Sequence, residues 1–170
     1  MGECILIIGG AKSGKSTYAL NLCRDMKKRR IFLATAQPID EEMKDKIKKH
    51  KEERGPGWIT VEEPVRIAER IKELNKEDTV ILLDCLTLWA NNILLHDLDR
   101  EKELDKLKDA LLHSKGTIVV VSNEVGMGIV PSDELSRRYR DFLGYANQQI
   151  ACLANKVILM TAGIPVIIKS

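Results

Sequence analysis

The octapeptide Gly9-Gly10-Ala11-Lys12-Ser13-Gly14-Lys15-Ser16 follows the apolar run Cys4 to Ile8 and opens the helix-like run Ser16 to Lys27. This pattern constrains the fold strongly, because it requires a strand, a tight loop and a helix in that order. Glycines let successive backbone N–H groups curl around a β-phosphate, and the helix N-terminus adds the positive end of its dipole. Lys15 has the length to reach the β- and γ-phosphates, and Ser16 presents its hydroxyl where Mg²⁺ needs a ligand. The competing reading is a plain glycine turn. Every fixed position of the phosphate-loop pattern is filled and the flanking elements are correctly placed, so the chain is read as binding a nucleoside triphosphate.

Short β-rich runs alternate with longer amphipathic ones along the rest of the chain, the pattern of crossover units in a parallel sheet. Strands are expected at Cys4 to Ile8, Ile31 to Ala34, Thr79 to Leu83, Thr117 to Val121 and Lys156 to Met160, with helices filling the gaps. Val166 to Lys169 follows Gly163 and Pro165 closely enough to return as an antiparallel hairpin. The predicted fold is α/β: a RecA-like phosphate-loop domain over residues 1–170, with a mostly parallel sheet flanked by helices and a C-terminal antiparallel hairpin. In open sheets of this kind ligands bind beyond the carboxyl ends of the strands. The loops after Ile8, Ala34, Leu83 and Val121 should therefore meet around one site.

Composition narrows the class. A chain of 170 residues with 44% hydrophobic content can bury one sizeable core, and nothing marks a linker. The 27 basic and 25 acidic residues nearly cancel, so overall charge points neither to nucleic acid nor to a membrane surface. No stretch is long and apolar enough to span a bilayer, and the expected compartment is the cytoplasm. Cys4, Cys23, Cys85 and Cys152 lack the paired spacing of a zinc or redox motif and are expected to be reduced core thiols.

Asp84 ends the apolar run Val80-Ile81-Leu82-Leu83, the arrangement that aims a carboxylate at nucleotide-bound Mg²⁺. Because Leu86 to Leu95 reads as a helix, Asp84 could instead be its N-cap; the phosphate loop upstream favours the metal role. A regulatory GTPase would carry an Asn-Lys-x-Asp guanine reader, which Ser122-Asn123-Glu124-Val125 does not supply. A motor NTPase would need a further domain to move, for which this length leaves no room.

The charged segment Asp40 to Arg54 carries Met43, Ile47 and His50 on one helical stripe, which is expected to face inward. A neutral imidazole there would be a nucleophile, but a lone histidine ending an amphipathic helix is more often structural. His96 and His113 lie near the ends of other helix-like segments and are read as structural.

The phosphate loop, Ala34-Thr35-Ala36 with Asp40 to Met43 and His50, Asp84-Cys85-Leu86-Thr87-Leu88-Trp89, and Ser122-Asn123-Glu124-Val125-Gly126-Met127-Gly128-Ile129-Val130-Pro131 occur in that order. Together they resemble the bifunctional adenosylcobinamide kinase and adenosylcobinamide-phosphate guanylyltransferase of cobalamin biosynthesis. The likeness continues through Arg138-Tyr139-Arg140-Asp141 and Asn147-Gln148 to the terminal hairpin. It implies a kinase step on adenosylcobinamide and a GMP transfer from GTP through a guanylyl-histidine at His50, with Lys15 also catalytic. It further implies nucleotide contacts from Gly9, Gly10, Ala11, Lys12, Ser13, Gly14, Lys15, Ser16, Ala34, Thr35, Ala36, Lys51, Glu52, Glu53, Arg54, Glu62 and Asp84. Mg²⁺ would sit on Ser16 and Asp84, GTP and ATP would be substrates beside the corrinoid, and the chain would form a homotrimer, to which the amphipathic run Glu101 to Leu112 could contribute contacts. No nucleic-acid partner and no membrane span are implied.

Two positions depart from the family pattern. Lys12 stands where arginine is common, keeping the charge but not the planar fork. Lys49 stands where a second histidine is often found, which leaves His50 as the only candidate nucleophile. Glu124 is read either as a general base for the cobinamide hydroxyl or as a carboxylate bracing its loop. Two other functions stay open. The basic cluster Lys27-Lys28-Arg29-Arg30 would suit a recombinase-like or regulatory ATPase that switches on a partner, although no aromatic interleaving accompanies it. An enzyme retaining one of the two activities would carry the same phosphate loop.

Overall fold

The computed structural model describes residues 2–170. Seven strands form one sheet in the order β3-β2-β4-β5-β1-β6-β7. They are β1 (Glu3–Gly9), β2 (Arg29–Ala34), β3 (Trp58–Glu62), β4 (Thr79–Asp84), β5 (Thr117–Asn123), β6 (Lys156–Thr161) and β7 (Ile164–Lys169). All neighbouring pairs are parallel except β6 and β7. Helices α1 (Lys15–Asp25), α2 (Glu41–Arg54), α3 (Ile67–Leu74), α4 (Leu86–Leu95), α5 (Arg100–Leu112) and α6 (Glu134–Leu153) make the connections.

The central strands are apolar on both faces because both faces are covered. Leu6, Ile31, Leu33, Ile81, Leu83, Ile118 and Val120 pack towards α3, α4, α5 and α6, where Trp89, Ile93, Leu107 and Leu143 are buried. The alternate residues Ile5, Ile7, Phe32, Val80, Leu82, Val119 and Val121 pack with Ala19, Leu20 and Cys23 of α1. Strand β5 separates the phosphate-loop strand β1 from β4, which carries Asp84; this is the RecA-like order. Ala34 lies level with Asp84, Asp84 with Val121, and Gly9 with Asn123, so these strands end along one edge.

Every strand expected from the pattern is present, each longer by one or two residues. β3 was not anticipated: helices were expected to fill the gap between Ala34 and Thr79. Its five residues are a partly exposed edge strand bounded by Gly55, Pro56 and Gly57, and their weak polarity contrast hides the period of two. α1 ends at Asp25 rather than Lys27, so the basic cluster falls in the turn and the start of β2. Two of its members are engaged internally: Lys28 Nζ donates to Thr117 Oγ1 at 3.0 Å, and Arg30 lies over the Trp58 ring.

The C-terminal hairpin supports the phosphate loop. Ala162 and Gly163, its two turn residues, both have positive φ, as a two-residue turn following the strand twist requires. The Gly163 N–H donates to the Ser13 carbonyl at 3.0 Å. Gly14 has φ +92°, and a Cβ there would stand 3.1 Å from Gly163 Cα, so conformation and close approach both call for glycine.

The cysteine expectation needs correcting. Cys4 and Cys23 are buried and Cys85 is half-buried, but Cys152 is exposed, because it sits on the outer side of the last turn of α6. Among the described residues no helix is long and apolar enough to cross a membrane.

Candidate active site

The strand ends and α2 enclose a cavity of about 330 Å³. Its floor is the phosphate loop, where Ala11, Lys12, Lys15 and Ser16 face the space. Gly9, Gly10, Ser13 and Gly14 supply the curve of the loop and do not line the cavity. Lys15 is buried; its Nζ donates to the Gly10 carbonyl and lies 3.4 Å from Ser13 Oγ. Burial lowers the Lys15 pKa below the ordinary lysine value, and the Cys85 and Asp84 side chains oppose that shift. An ammonium held against neutral oxygens in this way gains most when an anion enters.

Asp84 closes the far side. Burial raises its carboxyl pKa, while His50, Lys15, the Ser16 hydroxyl and Arg54 pull it down. The helix-cap alternative fails: Asp84 is the last residue of β4, and Cys85 occupies the N-cap of α4 without a side-chain cap bond. Thr35 sets the turn after Asp84. Its hydroxyl donates to the Cys85 carbonyl at 2.7 Å and accepts from the Cys85 N–H at 2.8 Å. Thr35 is wholly buried and outside the cavity lining, so it shapes the wall while its neighbours Ala34 and Ala36 face the space.

The third wall is α2 with β2 and β3. Asp40 caps α2 by accepting from the Met43 N–H at 2.7 Å. Its last turn is the anchored end: Arg24 of α1 donates to the carbonyls of Glu53 and Arg54, both at 3.0 Å. Lys51 Nζ lies 3.3 Å from Glu62 Oε1, and both line the cavity. Arg54 is the one fully buried residue of α2; its guanidinium donates to Thr60 Oγ1 at 3.0 Å and sits 3.8 Å from the Phe32 ring centre.

Met43, Ile47 and His50 share a face, as expected, but that face looks onto the cavity and not onto the core. Met43 and Ile47 are half-buried and His50 is exposed, because α2 spans the mouth of the cavity instead of lying on the sheet. Lys46 also faces the space, whereas Glu52 and Glu53 do not line it. Residues missed in the sequence include Phe32, Thr60, Cys85, Leu88, Val121 and Asn123. Asn123 and Val121 had a usable signal, since they end a strand beside the phosphate loop. Thr60 had none while β3 was unrecognised.

Oxygen donors of the kind Mg²⁺ prefers are available where the phosphate loop meets β4. Ser16 and Asp84 are side by side there, and among the described residues no cluster of three His, Cys, Asp or Glu side chains offers a dedicated metal cage. Glu124, just beyond the end of β5, accepts from the Gly126 N–H at 2.6 Å and so braces its own loop.

The sequence family described as cobinamide kinase / cobinamide phosphate guanyltransferase matches residues 5–168. The chain belongs to that family. A relative from Pseudomonas aeruginosa, the bifunctional adenosylcobalamin biosynthesis protein CobP, is 42% identical over 168 residues and is covered, like this chain, over 96% of its length. The bifunctional adenosylcobalamin biosynthesis protein CobU of Escherichia coli is 38% identical, over 97% of this chain and 99% of its own.

Solved structures show the family fold in a wider setting. An ATPase of a bacterial type III secretion system superposes with a TM-score of 0.53 at 14% identity, over 95% of this chain and 51% of its own. The flagellar accessory protein FlaH from Methanocaldococcus jannaschii superposes with a TM-score of 0.51 at 15% identity, over 99% and 78%. At such identities the likeness is one of fold. The sheet of this chain is thus of the RecA-like phosphate-loop kind.

Proposed function

We propose that this chain phosphorylates the aminopropanol hydroxyl of adenosylcobinamide and then transfers GMP from GTP to the resulting phosphate through a covalent guanylyl group on His50. The observation that carries the reading is the placement of His50 across one cavity from the phosphate loop and Asp84. A nucleotide held on Lys15 has its phosphates between the loop and the imidazole.

In the kinase step the hydroxyl oxygen of cobinamide attacks the γ-phosphorus of the nucleotide, the bond to the β,γ-bridging oxygen breaks, and the diphosphate leaves. Lys15 and the loop N–H groups hold the transferring charge. In the second reaction a lone pair of the His50 imidazole attacks the α-phosphorus of GTP and pyrophosphate leaves. A phosphate oxygen of cobinamide phosphate then attacks the same phosphorus, the P–N bond breaks, and adenosylcobinamide-GDP is released with His50 restored. Lys51 and Arg54, on the last turn of the same helix, have the charge and position to hold the phosphates presented to His50. Mg²⁺ on Ser16 and Asp84 would neutralise phosphate charge during both transfers.

The attacked phosphorus changes from γ to α between the two reactions, so α2 must shift along the nucleotide. Its construction allows this, with Arg54 the only buried residue of the helix and every tie to the body at the last turn. Loop and helix movements of this kind accompany many enzyme cycles. Trimeric association belongs to the same proposal and rests on the family resemblance. The exposed apolar residues Ile164, Val166, Ile167 and Ile168 of β7 are compatible with it.

Incubation with Mg²⁺ and GTP labelled at the α-phosphate, followed by denaturation, tests the covalent step. Wild type should retain label that is stable in alkali and lost in acid, as a phosphoramidate is, and His50→Ala should retain none. Unlabelled wild type under alkaline denaturation would overturn the guanylyl-histidine.

A further inference from the structure

Beyond Asn123 the chain forms an arch whose ends are fixed and whose crest is free. At its start the Asn123 N–H donates to Thr87 Oγ1 at 2.9 Å, Asn147 Nδ2 donates to the Asn123 carbonyl at 3.0 Å, and the Glu124 N–H donates to the Gly9 carbonyl at 2.9 Å. Val125 packs against the core. At its end Arg137 Nη1 donates to the carbonyls of Pro131 at 3.0 Å and Ser132 at 2.6 Å. Between these fixed points Met127, Ile129 and Val130 are 85%, 97% and 63% exposed, with Gly126 and Gly128 interleaved. Three large apolar side chains in succession, held out by a braced loop, are not left over from core packing.

The position of the arch identifies its occupant. Asn123 and Val121 line the nucleotide cavity, and Glu124 is bonded to the first residue of the phosphate loop, so the arch rises directly from the site. The other walls are taken up by the phosphate loop, β4, and α2 with β2 and β3. The β5 end is the side left for the acceptor. Under the proposed function, on which this inference rests, that acceptor is a corrin: a broad ring with apolar faces and an amide fringe, far larger than the cavity. Only its aminopropanol end can enter, and the ring must rest outside the mouth.

We infer that the arch from Asn123 to Pro131 is the corrinoid platform, with Met127 and Ile129 packing on the apolar face of the ring while its aminopropanol arm passes Asn123 into the cavity. The site is shared by both reactions, because the same arm presents first a hydroxyl and then a phosphate. Methionine suits such a surface, since its unbranched, polarizable side chain adapts to an irregular ring face. The glycines keep the crest backbone low enough for a flat ligand to approach; a Cβ at Gly128 would itself meet nothing within 4 Å.

The double variant M127S/I129S tests this, since both side chains are exposed and neither supports the core. Equilibrium dialysis measures binding of cobinamide phosphate, which is coloured, and of GTP to wild type and variant, with solution mass recorded for both. The expected result is cobinamide phosphate binding weakened at least tenfold, with GTP affinity within twofold and mass unchanged. Equal corrinoid affinity in the two proteins would overturn the platform and leave the proposed function standing. A fall in mass accompanying the loss would also overturn it, making the arch a contact between copies of the chain. Wild type that binds GTP but no corrinoid would overturn the platform together with the reading beneath it.

Discussion

The Arg54 guanidinium carbon lies over the Phe32 ring, 3.8 Å from its centre, with no carboxylate within ion-pair distance among the described residues. Burial lowers the pKa of Arg54 while Asp84 opposes the change. A guanidinium keeps its charge under such conditions. The ring and the Thr60 hydroxyl together stabilise it, leaving donor capacity directed into the cavity. Arg54→Lys should therefore raise the KM for GTP about tenfold, as expected from losing about 1.4 kcal/mol of charge-assisted bonding. Steady-state kinetics at fixed corrinoid concentration would show it; an unchanged KM would mean that Arg54 only anchors the last turn of α2.

Thr35 makes two hydrogen bonds with the Cys85 backbone, and Thr35→Val removes both while keeping the shape. The Cys85 carbonyl still accepts from the Trp89 N–H at 3.3 Å, but its amide loses its partner, which costs about 1–3 kcal/mol and for a chain of this size lowers Tm by about 3–10 °C. Because Asp84 precedes Cys85, the dependence on Mg²⁺ concentration should move to higher values at the same time. Thermal melts and a Mg²⁺ titration of activity check the two halves separately, and a melt that stays put would show that the hydroxyl contributes little to the turn.

Lys15→Met removes a buried ammonium whose pKa burial already lowers. Without nucleotide the variant should melt no lower than wild type, since a methionine side chain needs no anion to be comfortable in that pocket. Saturating GTP should raise the wild-type Tm by about 5–10 °C, the increase expected when ligand stands near 100 times Kd. It should leave the variant nearly unmoved. A comparable rise in both would detach Lys15 from nucleotide binding.

The cysteines should divide by burial. The thiols of Cys4 and Cys23 are pushed up to about 12 by burial, and that of Cys85 to about 11 by the same cause with Asp84 adding to it. Only Cys152 is exposed. Iodoacetamide at neutral pH should thus label one cysteine in the folded protein and four after denaturation, counted by intact mass. Because Cys85 lines the cavity, any slow second label should disappear when GTP is present.

The phosphate loop, the strand that precedes it and the Asp84 strand were legible because each is a local solution to a local requirement. A strand apolar on both faces must be covered on both, a loop that wraps phosphate needs glycines, and an acid after such a strand falls on the sheet edge where ligands gather. The C-terminal hairpin was legible from Gly163 and Pro165, although its tight turn at Ala162 and Gly163 was not. What escaped was non-local. β3 itself escaped, and with it Thr60; Glu62 was expected from the family resemblance alone, and it reaches the cavity because the register sets Ala34 opposite it. Thr35 looked like a cavity residue until its hydroxyl was found turned towards Cys85, fifty positions away.

His50 shows the division most clearly. Its sequence neighbours define an amphipathic helix and, with the family motifs, a candidate nucleophile. Periodicity sets which side chains share a face but not what that face meets, because the docking of a helix depends on the elements at its ends. Here Arg24, Phe32 and Thr60 hold the last turn of α2 so that the stripe looks across the cavity to Asp84. By itself the sequence determined the backbone motifs and the chemistry on offer. Tertiary structure alone decided which of those groups face one another, since hydrogen bonds and ring contacts between distant segments orient side chains that no local pattern encodes.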